Sequence, residues 1–255
     1  MKREPTETSR ALAAYVVDAV GGTLSVHRYS NDDESADVDI LTLGPDADGI
    51  TVHSTVSLHE APNLVDGRDI RVELIVATDG SIVGASEALA TIALTIGTDT
   101  WIAAPGVVYS DVFAMYEAAT PFPHALLTDP FPWPDLARWE NADGPDVHWL
   151  LVVPLAESER QLLITQGESA LLERLEDAAA AHFTSRRPPV AQTPAGTTRR
   201  AGEDARRGAV GHRERTHPGL HRLHLLRPGA VLVAQVVEDP LGFGRRVRVE
   251  FVRSQ

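Results

Sequence analysis

The segment Val147–Val153, reading VHWLLVV, constrains this chain most, because its apolar run is broken only by His148 and never alternates with polar positions. A strand with one wet side would alternate, so the run predicts a strand covered on both faces and placed centrally in its sheet. Pro154 is expected to end it. The acidic, serine-containing segment Glu157, Ser158, Glu159 then opens a short helix whose Leu155, Leu162 and Leu163 share one stripe, and Gly167 stops that helix. A second helix follows, with Leu171, Leu172, Leu175 and Ala179 on its buried face.

Earlier segments supply more strands. Residues 8–20 read as an amphipathic helix, with Leu12, Tyr15, Val16, Ala19 and Val20 on one side and Gly21-Gly22 as its end. Thr23–Tyr29 and Val38–Leu43 are expected to be neighbouring strands separated by an acidic segment, Asn31–Asp39, and GPDADG at 44–49 has the composition of a tight turn. Ile50, Val52, Val56 and Leu58 alternate with Thr51, His53, Thr55 and Ser57. Ile70, Val72, Leu74 and Val76 alternate with Arg71 and Glu73 in the same way, so two half-buried strands are expected in a largely antiparallel sheet. Ser86 is the expected N-cap of a helix carrying Leu89, Ile92, Ala93 and Ile96 and ending near Gly97. Trp101–Ala104 leads through Pro105-Gly106 into a short extended piece, Val107–Tyr109. Five prolines between Pro121 and Pro134 exclude a helix there and predict an extended loop over the core, anchored by Phe131 and Trp133.

Composition divides the chain. Residues 1–190 carry a net charge of −19 and residues 191–255 one of +6. The body should therefore repel nucleic acid and attract basic partners, whereas the tail alone could contact phosphates. Solubility alone also accounts for an acidic body. Residues 191–229, rich in Arg, Gly, Thr and Pro without periodicity, predict a flexible segment; 230–255 contain two alternating runs that predict a hairpin. An isolated hairpin is marginal in water, so it must dock on the body, pair with another chain or melt. The tail's arginine excess fits either a genuine basic extension or an out-of-frame reading of GC-rich DNA. The absence of cysteine excludes disulfides, thiolate catalysis and cysteine-ligated metal, and it suits a reducing cytoplasm. Glu4, Glu7 and Asp18 do not fit a signal peptide, and no apolar run is long enough for a membrane span.

No catalytic or nucleotide-binding motif stands in the chain: G-x-S-x-G, H-E-x-x-H and the P-loop are all missing, and Gly242-Phe243-Gly244 lacks the third glycine of a dinucleotide turn. Glu157 and Glu159 stand two apart at a helix start, where they point to different sides and answer the helix dipole. His217, His221 and His224 have helical spacing for a metal, but Pro218 and Gly219 argue against the helix. His53 and His59 read as surface histidines. A hydrolase or transferase would have to assemble its site from distant residues such as His59, Asp111 and His148, and no spacing supports one.

Residues 1 to about 190 resemble the Suppressor of fused domain family in its short bacterial form. The resemblance is carried in order by ITVHSTVSLHEAP at 50–62, DIRVELIVA at 69–77, WIAAPGVVYSDV at 101–112, HALLTDPFPW at 124–133, and VHWLLVVPLAESERQLLITQGESALLERL closing at SRRPPV. It implies an α+β fold with a twisted, largely antiparallel or mixed sheet flanked by helices, no cofactor and no enzymatic activity. Animal members bind and restrain zinc-finger transcription factors, and bacterial members are usually assigned as immunity proteins that neutralise toxin domains of polymorphic secretion systems. The expectation is a cytoplasmic protein-binding domain, most directly an immunity protein. The alternative is a regulatory binder of an endogenous basic protein. If the partner is basic, the densest acidic cluster, Asp32, Asp33, Glu34, Asp37 and Asp39, is the expected contact, presented on a loop between early strands.

Overall fold

The computed structural model describes residues 4–98, 101–142 and 144–177, together with the backbone of 230–238 and 245–253. Residues 191–229, with the three spaced histidines, lie outside the described residues, as does Ala179.

Helix α1, Glu7–Val20, starts where Thr6 Oγ1 accepts the Ser9 amide at 3.1 Å and ends at Gly21, whose φ of +79° suits a residue without a Cβ. Its Leu12 and Val16, one turn apart, are fully buried. Strands β1 (Leu24–Ser30) and β2 (Asp37–Leu43) form the expected antiparallel pair, with Leu24 opposite Leu43 and Ser30 opposite Asp37. β3 (Thr51–Thr55) follows, then a 3-10 turn at Leu58–Glu60 and a small separate hairpin of β4 (Leu64–Val65) and β5 (Arg68–Asp69). β6 (Arg71–Thr78) leads to helix α2 (Ala85–Thr98), and β7 (Val108–Tyr109) to β8 (His124–Thr128). After a 3-10 turn at Pro134–Leu136 come β9 (Arg138–Trp139), β10 (Val147–Leu155) and the helices α3 (Glu157–Gln166) and α4 (Glu168–Asp177). β11 (Ala230–Glu238) and β12 (Arg245–Arg253) pair antiparallel as a hairpin.

The large sheet runs β1-β2-β3-β6-β10-β8-β7-β11-β12, with β9 beside β10. Its pairings are antiparallel except β10 with β6 and β11 with β7, so the sheet is mixed. β10 is central, and alternate residues show why its sequence is apolar throughout. Leu150 and Val152 join the core under α2, while Trp149, Leu151, Val153 and Leu155 join the core under α1, α3 and α4. A strand with helices on both faces has no position left for a polar residue that lacks a buried partner.

Several expectations are corrected. β10 continues through Pro154, which stands opposite Ala125 of β8; pairing with β6 ends at Leu151, so the far side of Pro154 has no ladder to interrupt. The proline-rich segment is not only a covering loop. It contains β8, whose five residues are all buried, because Pro121, Pro123, Pro130 and Pro132 flank His124–Thr128 and none falls inside. Phe131 and Trp133 do pack against the core from beyond it. β6 lacks its expected wet face at Glu73, and β3 keeps only part of its own: Thr51 and His53 are half-buried, whereas Thr55 is fully buried, as is Ser54, and each of the buried polar groups has a hydrogen-bond partner. α2 begins at Ala85, one residue ahead of the expected cap, so Ser86 lies in the first turn and donates to Glu87 at 2.9 Å. Among the described residues, no helix is long and apolar enough to cross a membrane.

Candidate protein-binding surface

The end of the β1–β2 hairpin is built by its own polar side chains. Asn31 and Ala36 close it: the Asn31 amide donates to the Ala36 carbonyl at 3.1 Å, and the Ala36 amide donates to Asn31 Oδ1 at 2.9 Å. Inside the turn, the Ser35 amide and hydroxyl both donate to Asp33 Oδ1, and Glu34 takes φ +55°, a conformation that a residue with a Cβ seldom adopts. Those two bonds hold the Asp33 carboxyl below its ordinary value. Asp32, Asp33 and Glu34 are all exposed, so the turn presents three carboxylates to solvent on a compact frame.

Asp37 and Asp39 are placed differently from the expectation, since both belong to β2 rather than to a loop. Asp39 is 6% exposed and accepts a two-pronged pair from Arg28 of β1, Nε and Nη2 each at 2.7 Å. Its amide donates to Ser57 Oγ at 2.8 Å. Asp37, exposed, stands 3.9 Å from the same guanidinium. Arg28 faces Asp39 because the two are directly opposed across the strand pair, a partner that only the register supplies.

A groove of about 490 Å³ runs between β1 and α1, lined by Leu24 and Val26 on one wall and Ala13, Ala14 and Val17 on the other. Arg10 and Asp18 stand on its rim. A second cavity, about 720 Å³, lies between the end of α1 and the 44–50 turn. It is lined by Asp46, Asp48, Asp79 and Trp133, with no histidine, serine, threonine or lysine among its lining residues.

The scattered residues of a hydrolase site do not converge. His59 is no surface histidine: its Nδ1 lies 2.7 Å from Glu73 Oε1, and that buried carboxylate also accepts the Leu58 and His59 amides. Asp111 belongs to another group, in which its amide donates to His124 Nδ1 at 3.0 Å while His124 Nε2 meets Glu157 at 2.8 Å. Burial pushes His124 below its ordinary value against the pull of Asp111 and Glu157, and Glu157, held chiefly by Arg160, titrates at about 2. His148 stands in β10 opposite Arg138 and is also lowered by burial. His53, half-buried, shares a 2.9 Å bond with Thr42 Oγ1 and is lowered by burial as well. Among the described residues, no group of three or more His, Asp or Glu is placed to hold a metal ion. Glu157 and Glu159 separate as expected, Glu157 reaching outward and Glu159 turning back to accept the Ala156 amide at the head of α3.

Residues 34–187, more than half of the chain, match the model of the Suppressor of fused protein (SUFU) family. The chain belongs to the Suppressor of fused family. A relative in Bacillus subtilis (strain 168), named Immunity protein YqcF, is 29% identical over 188 residues, which cover 72% of this chain and 98% of that protein. The fold is shared with a putative SUFU homologue from Neisseria gonorrhoeae, at a TM-score of 0.56 and 14% identity over 72% of this chain and 97% of that one. It is shared as well with a chain of the Sufu–Fu complex, at a TM-score of 0.51 and 11% identity over 73% and 93% of the two chains. At those identities the Suppressor of fused structures establish the fold alone.

Proposed function

We propose that this protein is an immunity protein: a non-catalytic, cytoplasmic binder that neutralises a basic toxin domain of a polymorphic secretion system. The observation that carries this reading is similarity over 98% of a protein named as an immunity protein, which leaves almost none of that relative unmatched. Charge gives the reading its chemistry. Toxins that cut nucleic acids need basic clefts to hold phosphates, and a body of −19 is attracted to such a cleft and steered into it. The turn of Asp32, Asp33 and Glu34 is the part of the acidic cluster that a partner reaches without unpacking the core. Asp39 serves the hairpin instead, and Asp37 stands between the two roles.

The test is to look for a secreted toxin among the neighbouring genes and to express its toxin domain in a host cell, with and without this protein. Restored growth and a stable one-to-one complex are the expected results. A toxin left fully active in its presence, or an endogenous transcription factor recovered as the stoichiometric partner, would move the assignment to a regulatory binder.

A further inference from the structure

Strands at the border of a sheet expose unpaired amides and carbonyls, and proteins guard them with lysine, proline, a bulge or a covering element. β1 is such a strand, and its sequence LSVHRYS contains neither lysine nor proline. Its seven residues pair with β2 one for one, without a bulge. Among the described residues, no strand lies on its outer side. Its one permanently charged side chain, Arg28, is already engaged by Asp39.

The face turned toward α1 adds a second observation. Leu24 and Val26 are each 47% exposed, although Leu43 and Leu41, directly opposite on β2, are buried. They form one wall of the apolar groove along α1. Charge adds a third: residues 4 to 43 carry eight carboxylates against two arginines.

We infer that the open edge of β1 is a docking strand for an extended segment of the partner protein, with apolar residues at every second position and arginine or lysine at the others. The segment adds a strand to the sheet, places its apolar side chains in the groove between β1 and α1, and is drawn to the acidic surface by the charge of its basic ones, which project from the opposite face. Seven residues of β1 offer about 23 Å of edge, enough for main-chain bonding to fix the segment's register. A second copy is a poor occupant, because pairing β1 with β1 brings two carboxylate-rich surfaces face to face. This inference rests on the reading of the protein as a binder of a basic partner and adds where and how that partner is held.

The probe is a fluorescent synthetic peptide, Arg-Val-Arg-Val-Arg-Val-Arg, titrated with the full chain at about 0.05 M salt and followed by anisotropy. Methylating alternate amides along its docking edge, or sorting the same residues into a block of arginines and a block of valines, should weaken binding by about tenfold or more. L24K/V26K should abolish binding while circular dichroism stays unchanged. L64K/V83K, with the same added charge at exposed apolar positions outside β1 and α1, should keep it. Absence of binding, equal binding of the methylated or block peptides, or equal losses in the two double variants would overturn the inference in favour of unspecific charge attraction. A dimer in sedimentation that L24K/V26K disperses would overturn it in favour of a second copy. Toxin protection separates the two claims: if wild type and L24K/V26K protect equally, the edge is not the dock and the immunity reading stands, whereas failure of wild type to protect removes the immunity reading itself.

Discussion

Leu151 shows how much a single position in the central strand carries. It is 1% exposed, pairs with Ile75 of β6 on one side and Thr128 of β8 on the other, and belongs to the core beneath α1, α3 and α4. Leu151→Ala should cost about 2–5 kcal/mol through lost burial and a residual cavity, measured as a shift in the denaturant midpoint. A cost below about 1 kcal/mol would place the residue at a yielding surface. His124 makes a prediction of a different kind. Its Nδ1 accepts the Asp111 amide, which a protonated ring cannot do, and the charged groups facing it are Asp111, Glu157 and Arg160. Because burial lowers its folded value below the ordinary 6.5, the unfolded chain binds the proton first on acidification. The stability it contributes is therefore complete above about pH 6.5 and is lost as the pH falls through the folded value. His53 and His148, lowered by the same cause, add to the effect. Urea unfolding at about pH 7.5 and about pH 5.5 should show lower stability at the acidic end, and His124→Gln should reduce the difference.

At the scale of elements, the acidic turn can be changed without touching the sheet. Asp32, Asp33 and Glu34 are exposed, while Asn31 and Ala36 close the hairpin through bonds that do not involve their carboxylates. Neutralising them as D32N/D33N/E34Q should slow association with a basic partner and flatten its salt dependence, while the unfolding midpoint stays nearly unchanged. Unaltered association kinetics at low salt would remove the turn from the contact surface. Element type followed directly from local pattern where one face alone is buried, as in α1 with Leu12 and Val16, or where an entire run is apolar, as in β10. It failed where partners arrive from far along the chain. Glu73 reads as the wet side of a strand until His59 and two amides close on it, and Thr55 does so until the Leu74 amide reaches its hydroxyl. Binary patterning cannot register a buried polar group whose hydrogen bonds are tertiary.

Among the described residues, the hydrophobic cores close between the central sheet and helices α1 to α4, and the β11–β12 hairpin joins at a border through a short parallel pairing of Val233 and Ala234 with Val108 and Tyr109. A fragment of residues 1–190 should therefore fold, with a thermal midpoint within about 4 °C of the full chain. A loss of several kcal/mol would show that the hairpin completes the sheet. Charge acts at this scale too. A body of −19 attracts basic molecules at long range, and more strongly at low salt.

Local sequence by itself determined the α+β class, the double coverage of β10, the β1–β2 hairpin and the concentration of acid at its end, because each is written in a period, a run or a turn composition within a few residues. Tertiary structure alone decided which acids face outward. Asp39 and Asp33 are six positions apart and chemically identical, yet the strand register sets one against Arg28 and leaves the other to Ser35 and solvent. It alone decided, too, that Leu24 and Val26 stay half open, since a strand's exposure depends on its order in the sheet, and that order is fixed by contacts between segments far apart in the chain.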